Sequence, residues 1–152
     1  SLLAKGIHAA RLHPELPSRF AILPRYGQTD DIRWFEADPT YILHFLNAYE
    51  DGDEIIMDGY FQENPSVAPL ADAPGGFGQM MAFVDEHSFR PKLHRWHFNL
   101  KTGKTREYHL DDRILEFGMF NQRYAGKPYR YAYSTWTQPG CPAMASLPGR
   151  GS

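Results

Sequence analysis

Long hydrophobic runs are missing from this chain: no apolar stretch approaches the roughly 20 residues that a membrane-spanning helix needs. The N-terminus lacks the charged, apolar and cleavage regions of a signal peptide. Cysteine is almost absent too, with Cys141 alone, so no disulfide can form within the chain. Together these absences predict a cytoplasmic protein. Dense blocks of one charge are also lacking: 16 Lys and Arg face 18 Asp and Glu, for a net charge of −2. A nucleic-acid binder needs a concentrated basic footprint, so nucleic acid is excluded as a partner. Finally, no long stretch carries apolar residues at helical spacing.

What is present is aromatic and punctuated. Phe, Trp and Tyr make up 14% of 152 residues, with 12 Pro, 13 Gly and seven His. That mixture favours short strands joined by turns, and the class is all-β. Strands are expected at 18–23, before Pro24, and at 32–37, 40–50, 54–61, 92–100, 105–111, 113–121 and 129–136. The Asp51-Gly52-Asp53 and Lys101-Thr102-Gly103-Lys104 stretches carry hairpin signals. A Pro, Gly and Ala-rich segment, 62–78, reads as a surface loop or a cavity mouth. Successive hairpins make antiparallel meanders, as in a sandwich, a barrel or propeller blades.

One histidine stands out. His44 interrupts the apolar run "TYILHFLNAYE", and on a strand over 40–50 it shares a face with Ile42, Leu46 and Ala48. Neither face of such a strand suits solvent. An imidazole there must find hydrogen-bond partners, stay neutral or bind a metal. The plain alternative is a core histidine with satisfied nitrogens, inside a small β-rich interaction module without metal or catalysis. Other clusters read as ordinary structure. The acidic "EDGDE" with Asp58 lacks the spacing of a calcium loop and reads as a solvated hairpin tip. His94 and His97 cannot share a strand face. The "FGQMMAFV" stretch (77–84) reads as a buried strand, with a lipid-facing patch as the alternative.

"SRFAILPRYG", "IRWFEADPTYILHFLNAYEDGDEIIMD", "LHRWHFNLKTG" and "LEFGMFNQRYAGKPYRYAYS" follow one another at spacings that resemble the carotenoid cleavage oxygenase family. His-x-x-Asn-Ala-aromatic-Glu, Glu-Phe and Gly-Lys-Pro-Tyr-x-Tyr-x-Tyr occur together, over about residues 15–139. The resemblance implies a seven-bladed β-propeller in which four histidines hold one Fe(II) on the axis. His44 falls on one of those ligands, and Glu116 falls on the carboxylate that accepts a hydrogen bond from its other ring nitrogen. A carboxylate there orients a metal-bound imidazole and raises its basicity.

The implied reaction is O2-dependent scission of a conjugated C=C bond in a carotenoid, apocarotenoid or stilbene, giving two carbonyl products, with possible peripheral membrane contact. Where many members carry Pro after Glu-Phe, this chain carries Gly118, which implies a looser backbone beside the carboxylate. The resemblance further implies an internal piece of about two to three blades, inactive alone, its other three histidines lying outside this sequence. Residues 1–139 belong to that partial propeller, and "GCPAMASLPGRGS" (140–152) is a non-matching, unstructured tail.

Overall fold

A computed structural model of the chain describes residues 13–62 and 90–136. Eight strands appear there: β1 (Ser18–Ile22), β2 (Arg33–Ala37), β3 (Phe45–Asp51), β4 (Glu54–Phe61), β5 (Lys92–Asn99), β6 (Thr105–His109), β7 (Leu115–Phe120) and β8 (Ala132–Trp136). Every pairing is antiparallel. β3-β4-β5-β6 form one four-stranded sheet in chain order, while β1-β2 and β7-β8 form two-stranded sheets. This is a propeller-like plan, one whole blade flanked by two half-blades, and it agrees with the expected all-β class. The tail from residue 140, the patch at 77–84, nearly all of the 62–78 loop and Cys141 lie outside the described residues.

The turns follow their chemistry. Asp51 pairs with Glu54 across a two-residue loop, and Gly52 there has φ +58°, a left-handed conformation that side chains resist. In the next hairpin the Asn99 side chain accepts from the amides of Lys101 and Thr102 at 3.0 and 2.8 Å, and Gly103 takes φ +70°.

Alternation along β4 and β5 sorts the two faces of the blade. Ile55, Met57 and Phe61 of β4, with Trp96 and Phe98 of β5, point toward β1-β2 and build the core with Phe20, Phe35 and Ala37. Its rings sit 5.0 to 5.7 Å apart between centroids for Phe20–Phe98, Phe35–Phe98 and Phe20–Trp96. The opposite face carries Ile56, Asp58 and Tyr60 of β4 and Arg95 of β5. It meets β7, β8 and the segment between them, through the contacts of Asp58 with Tyr129 and of Tyr60 with Ser134.

One expected strand is shorter than its apolar run. Residues 40–44 are not part of β3; Tyr41 makes only an isolated bridge to Gln62, and β3 begins at Phe45. A register shift between Phe45 and Asn47 then breaks the alternation, so Leu46 and Asn47 are both buried. The physical reason is Asn47, whose amide group is drawn inward by backbone partners on the segment after β7. His44 therefore sits at the mouth of β3 rather than inside a strand buried on both faces, and its neighbours Leu43 and Phe45 are exposed.

Candidate metal centre

His44 and Glu116, 72 residues apart, come together. The imidazole Nδ1 lies 2.8 Å from Glu116 Oε2. A carboxylate only accepts, so Nδ1 carries the proton and donates it, which leaves the Nε2 lone pair outward. Nε2 makes no hydrogen bond among the described residues, and the His44 side chain is 41% exposed against 6% for Glu116. The ring also packs against Phe117 at 4.9 Å between centroids.

The carboxylate is held by its own strand. Glu116 Oε2 accepts a second bond from the Phe117 amide at 2.9 Å, made possible by φ +52° at Phe117. That left-handed conformation costs an aromatic residue about 1–2 kcal/mol, and the surrounding packing must impose it. The β7-β8 register shifts at the same place, so that Phe117 and Gly118 lie opposite Ser134 alone. Thr135 Oγ1 donates to the Glu116 carbonyl at 2.8 Å and closes the far end of this bulge. Glu116 Oε1 is buried without a hydrogen-bond partner. The expected loosening at Gly118 is corrected: a Cβ there would collide with Tyr60 Oη and come within 2.6 Å of Leu46 Cδ1. Glycine is present because the backbone is packed tightly, not because it is loose.

Behind this pair lies a polar network on the same face of the blade. Arg95 donates twice to the fully buried Asp58, at 2.7 and 2.8 Å, and Tyr129 Oη donates to Asp58 Oδ2 as well. Burial, reinforced by the Asp58 carboxylate, pushes the Tyr129 phenol well above its ordinary range, so it stays a donor. The Asp58 partnership holds the Arg95 guanidinium more firmly protonated still. Asp58 thus leaves the acidic hairpin cluster to which its position in the sequence assigned it. His94 and His97 point to opposite sides of β5, as their odd spacing requires. His94 meets His109 at 2.8 Å and Glu107 at 3.1 Å; His97 meets Glu54 at 2.9 Å.

Three residues that sequence reasoning left without a role are prominent here: Asn47, Tyr60 and Tyr129. Asn47 and Tyr129 stand inside the quoted motifs, and for Asn47 a polar group in an apolar run was the available signal. Tyr60 gave none, since "MDGYF" reads as ordinary strand.

Among the described residues, no three His, Cys, Asp or Glu side chains gather as a metal-ligand set. The donor set still fits one ligand position: a neutral imidazole, fixed by a carboxylate on Nδ1, offering Nε2 from a partly open surface. Fold and site together define a class: an all-β protein built from antiparallel propeller-like blades, with a carboxylate-oriented imidazole at the mouth of a blade strand.

Within that class, the chain belongs to the retinal pigment epithelial membrane protein family, whose model matches residues 1–147. A carotenoid cleavage oxygenase of Mycobacterium tuberculosis is 33% identical over 140 residues, covering 88% of this chain and 26% of that protein. The carotenoid 9,10(9',10')-cleavage dioxygenase 1 of Pisum sativum is 36% identical over 119 residues, covering 78% and 20%. An isoeugenol monooxygenase of Pseudomonas putida is 34% identical over 122 residues, covering 79% and 24%. The fold matches a Synechocystis apocarotenoid oxygenase mutant with a TM-score of 0.68 at 23% identity, over 83% of this chain and 25% of that one. The chain thus spans about a quarter or less of the length of these relatives.

Proposed function

We propose that this chain contributes one ligand, His44, to the Fe(II) centre of a dioxygenase that cleaves a conjugated C=C bond in a carotenoid, apocarotenoid or stilbene. The contact between His44 Nδ1 and Glu116 Oε2 carries this reading, because it fixes the tautomer that a metal ligand requires. Family membership supports the dioxygenase class, and the names of the relatives support an apolar polyene or phenylpropene-like substrate. A cobalt-substituted form of the Synechocystis oxygenase has been solved, so that protein accepts cobalt.

Bound Fe(II) would supply the O2 chemistry. The chain's own residues do the rest. His44 offers Nε2, and Glu116 keeps the Nδ1 proton in place and adds negative charge that neutral imidazoles lack. Phe117, 61% exposed against the His44 ring, offers a flat apolar wall to a conjugated substrate and keeps water from that side. Phe45, also exposed, extends the apolar surface on the blade side.

The test is replacement in the longest natural polypeptide that carries this chain. His44→Ala should abolish bound iron and aldehyde formation from an apocarotenal while the fold survives. Glu116→Gln should weaken iron retention by about 10–100-fold. Iron retained at wild-type level in His44→Ala would overturn His44 as a ligand, whereas no iron in the wild type together with loss of folding in His44→Ala would favour the metal-free interaction module.

A further inference from the structure

Tyr60 touches His44 and the bulge of the strand that carries Glu116. Its amide donates to the His44 carbonyl at 3.2 Å, tying the segment before β3 to β4. Its phenol crosses to the other sheet, where Oη and Ser134 Oγ share a hydrogen bond of 2.7 Å. Ser134 is the residue opposite the β7 bulge, and Gly118 is the bulge residue that leaves no room for a Cβ against Oη. The phenol is thus seated between the two strands at the point where Phe117 turns left-handed and Glu116 is re-aimed.

Nothing about this seat is slack. Tyr60 has no exposed surface, its ring is rigid, and its backbone is paired with Leu93 of β5. Burial pushes the phenol pKa up, against the Ser134 bond that pulls it down, and the nearby Glu116 charge adds to the rise. The hydroxyl therefore stays protonated beside that carboxylate.

We propose that Tyr60 is the positioning residue of the candidate metal centre: its amide sets the His44 backbone, and its phenol, lodged between Gly118 and Ser134, sets the bulge from which Glu116 reaches the imidazole. The proposal rests on the reading of His44 as a metal ligand. It assigns Gly118 a paired role, since the glycine exists to admit the phenol.

The decisive experiment uses suppression. Gly118→Ala, Tyr60→Phe and the double variant are made in the longest natural polypeptide carrying this chain, with His44→Ala as the control. Two readouts are taken: Co(II) affinity from its visible absorption, and the downfield His44 Nδ1–H proton signal in metal-free, histidine-labelled protein, identified by its loss in His44→Ala.

Gly118→Ala should displace that signal and weaken Co(II) binding at least about tenfold. Tyr60→Phe, which removes one hydrogen bond and keeps the ring, should shift the signal and weaken binding roughly threefold. The double variant should recover toward Tyr60→Phe, because deleting Oη removes the main collision of the new methyl group. A merely structural defect would destabilise the fold but leave the proton signal and the Co(II) affinity of the folded protein unchanged. Additive losses, or a wild-type signal and affinity in Tyr60→Phe, would overturn the proposal, and the second outcome is informative even where Gly118→Ala does not fold. Equal Co(II) binding by wild type and His44→Ala would overturn the metal reading instead, while the proton signal still decides whether Tyr60 sets the pair.

Discussion

Asp58 is the most completely buried charge in the described chain, and its three hydrogen bonds come from two residues on different elements. Arg95 supplies a bidentate guanidinium from the adjacent strand, and Tyr129 supplies a phenol from the segment before β8. Such a carboxylate is tolerable only when fully partnered. Asp58→Ala should therefore cost about 3 kcal/mol, the low end for a broken buried pair, because the Arg95 side chain keeps 23% of its exposure and water can partly rehydrate it. Tyr129→Phe removes one bond to a charged acceptor and should cost about 2 kcal/mol. Chemical denaturation checks both values, and a loss under about 0.5 kcal/mol for Asp58→Ala would show that the pair is already solvated. The same sequence signal that singled out His44, a polar group in an apolar run, was present at Asp58 in "IIMDGYF". It was obscured by the acids of the hairpin tip four residues upstream, and only the cross-sheet partner separates the two cases.

At the scale of elements, blade and half-blades are joined by few but well-placed polar contacts. Asn47 binds the segment after β7 three times: its Nδ2 donates to the carbonyls of Tyr124 and Lys127 at 3.2 and 3.1 Å, and its Oδ1 accepts from the Gly126 amide at 3.1 Å. Asn47→Ala should cost about 2–3 kcal/mol, at roughly 1 kcal/mol for each bond, and should speed tryptic cleavage at Arg123. Unchanged cleavage would mean that the segment is held by other contacts. On the opposite side, Glu107 of β6 accepts from the Asp38 amide at 2.8 Å and from His94, joining β2 to the blade. Burial raises the Glu107 carboxyl, but the His94 ring and the Asp38 amide outweigh it, and the net shift is downward. A depressed folded-state value means that the stabilisation is complete above the ordinary glutamate value of about 4.3 and is lost as pH falls through the lowered value. The Tm gap between wild type and Glu107→Gln should be full near neutral pH and narrow progressively below about pH 4. A gap that stays constant down to that range would show that the carboxylate is not coupled to folding.

For the whole molecule, hairpins and strand order were legible from turn chemistry and alternation, because β4 and its neighbours obey a period of two over most of their length. What alternation could not reveal was the start of β3 and the bulge in β7, since both are set by partners in another sheet: Asn47 by the segment near Tyr124, and Phe117-Gly118 by Tyr60 and Ser134. His44 and Glu116 were legible as a pair only through motifs that resemble a family; their contact spans 72 residues, which no local pattern reports. Yet the described chain supplies one imidazole and no further ligand set, over a quarter or less of the length of its relatives. A single neutral imidazole competes poorly with water for Fe(II), whose affinity at a protein site grows with each added nitrogen donor and with the geometry that holds them. The β7-β8 sheet also leaves Met119, Tyr133 and Trp136 more than half exposed, the kind of apolar surface that a neighbouring layer normally covers. The 152-residue chain expressed alone should accordingly retain no iron after desalting and should self-associate, whereas the longest natural polypeptide that contains it should carry about one iron per chain. Colorimetric iron assay and analytical ultracentrifugation on the two proteins measure this directly. Stoichiometric iron on a monomeric 152-residue chain would require ligands beyond His44 within these residues, and would return the search for the metal centre to the histidines of this sequence itself.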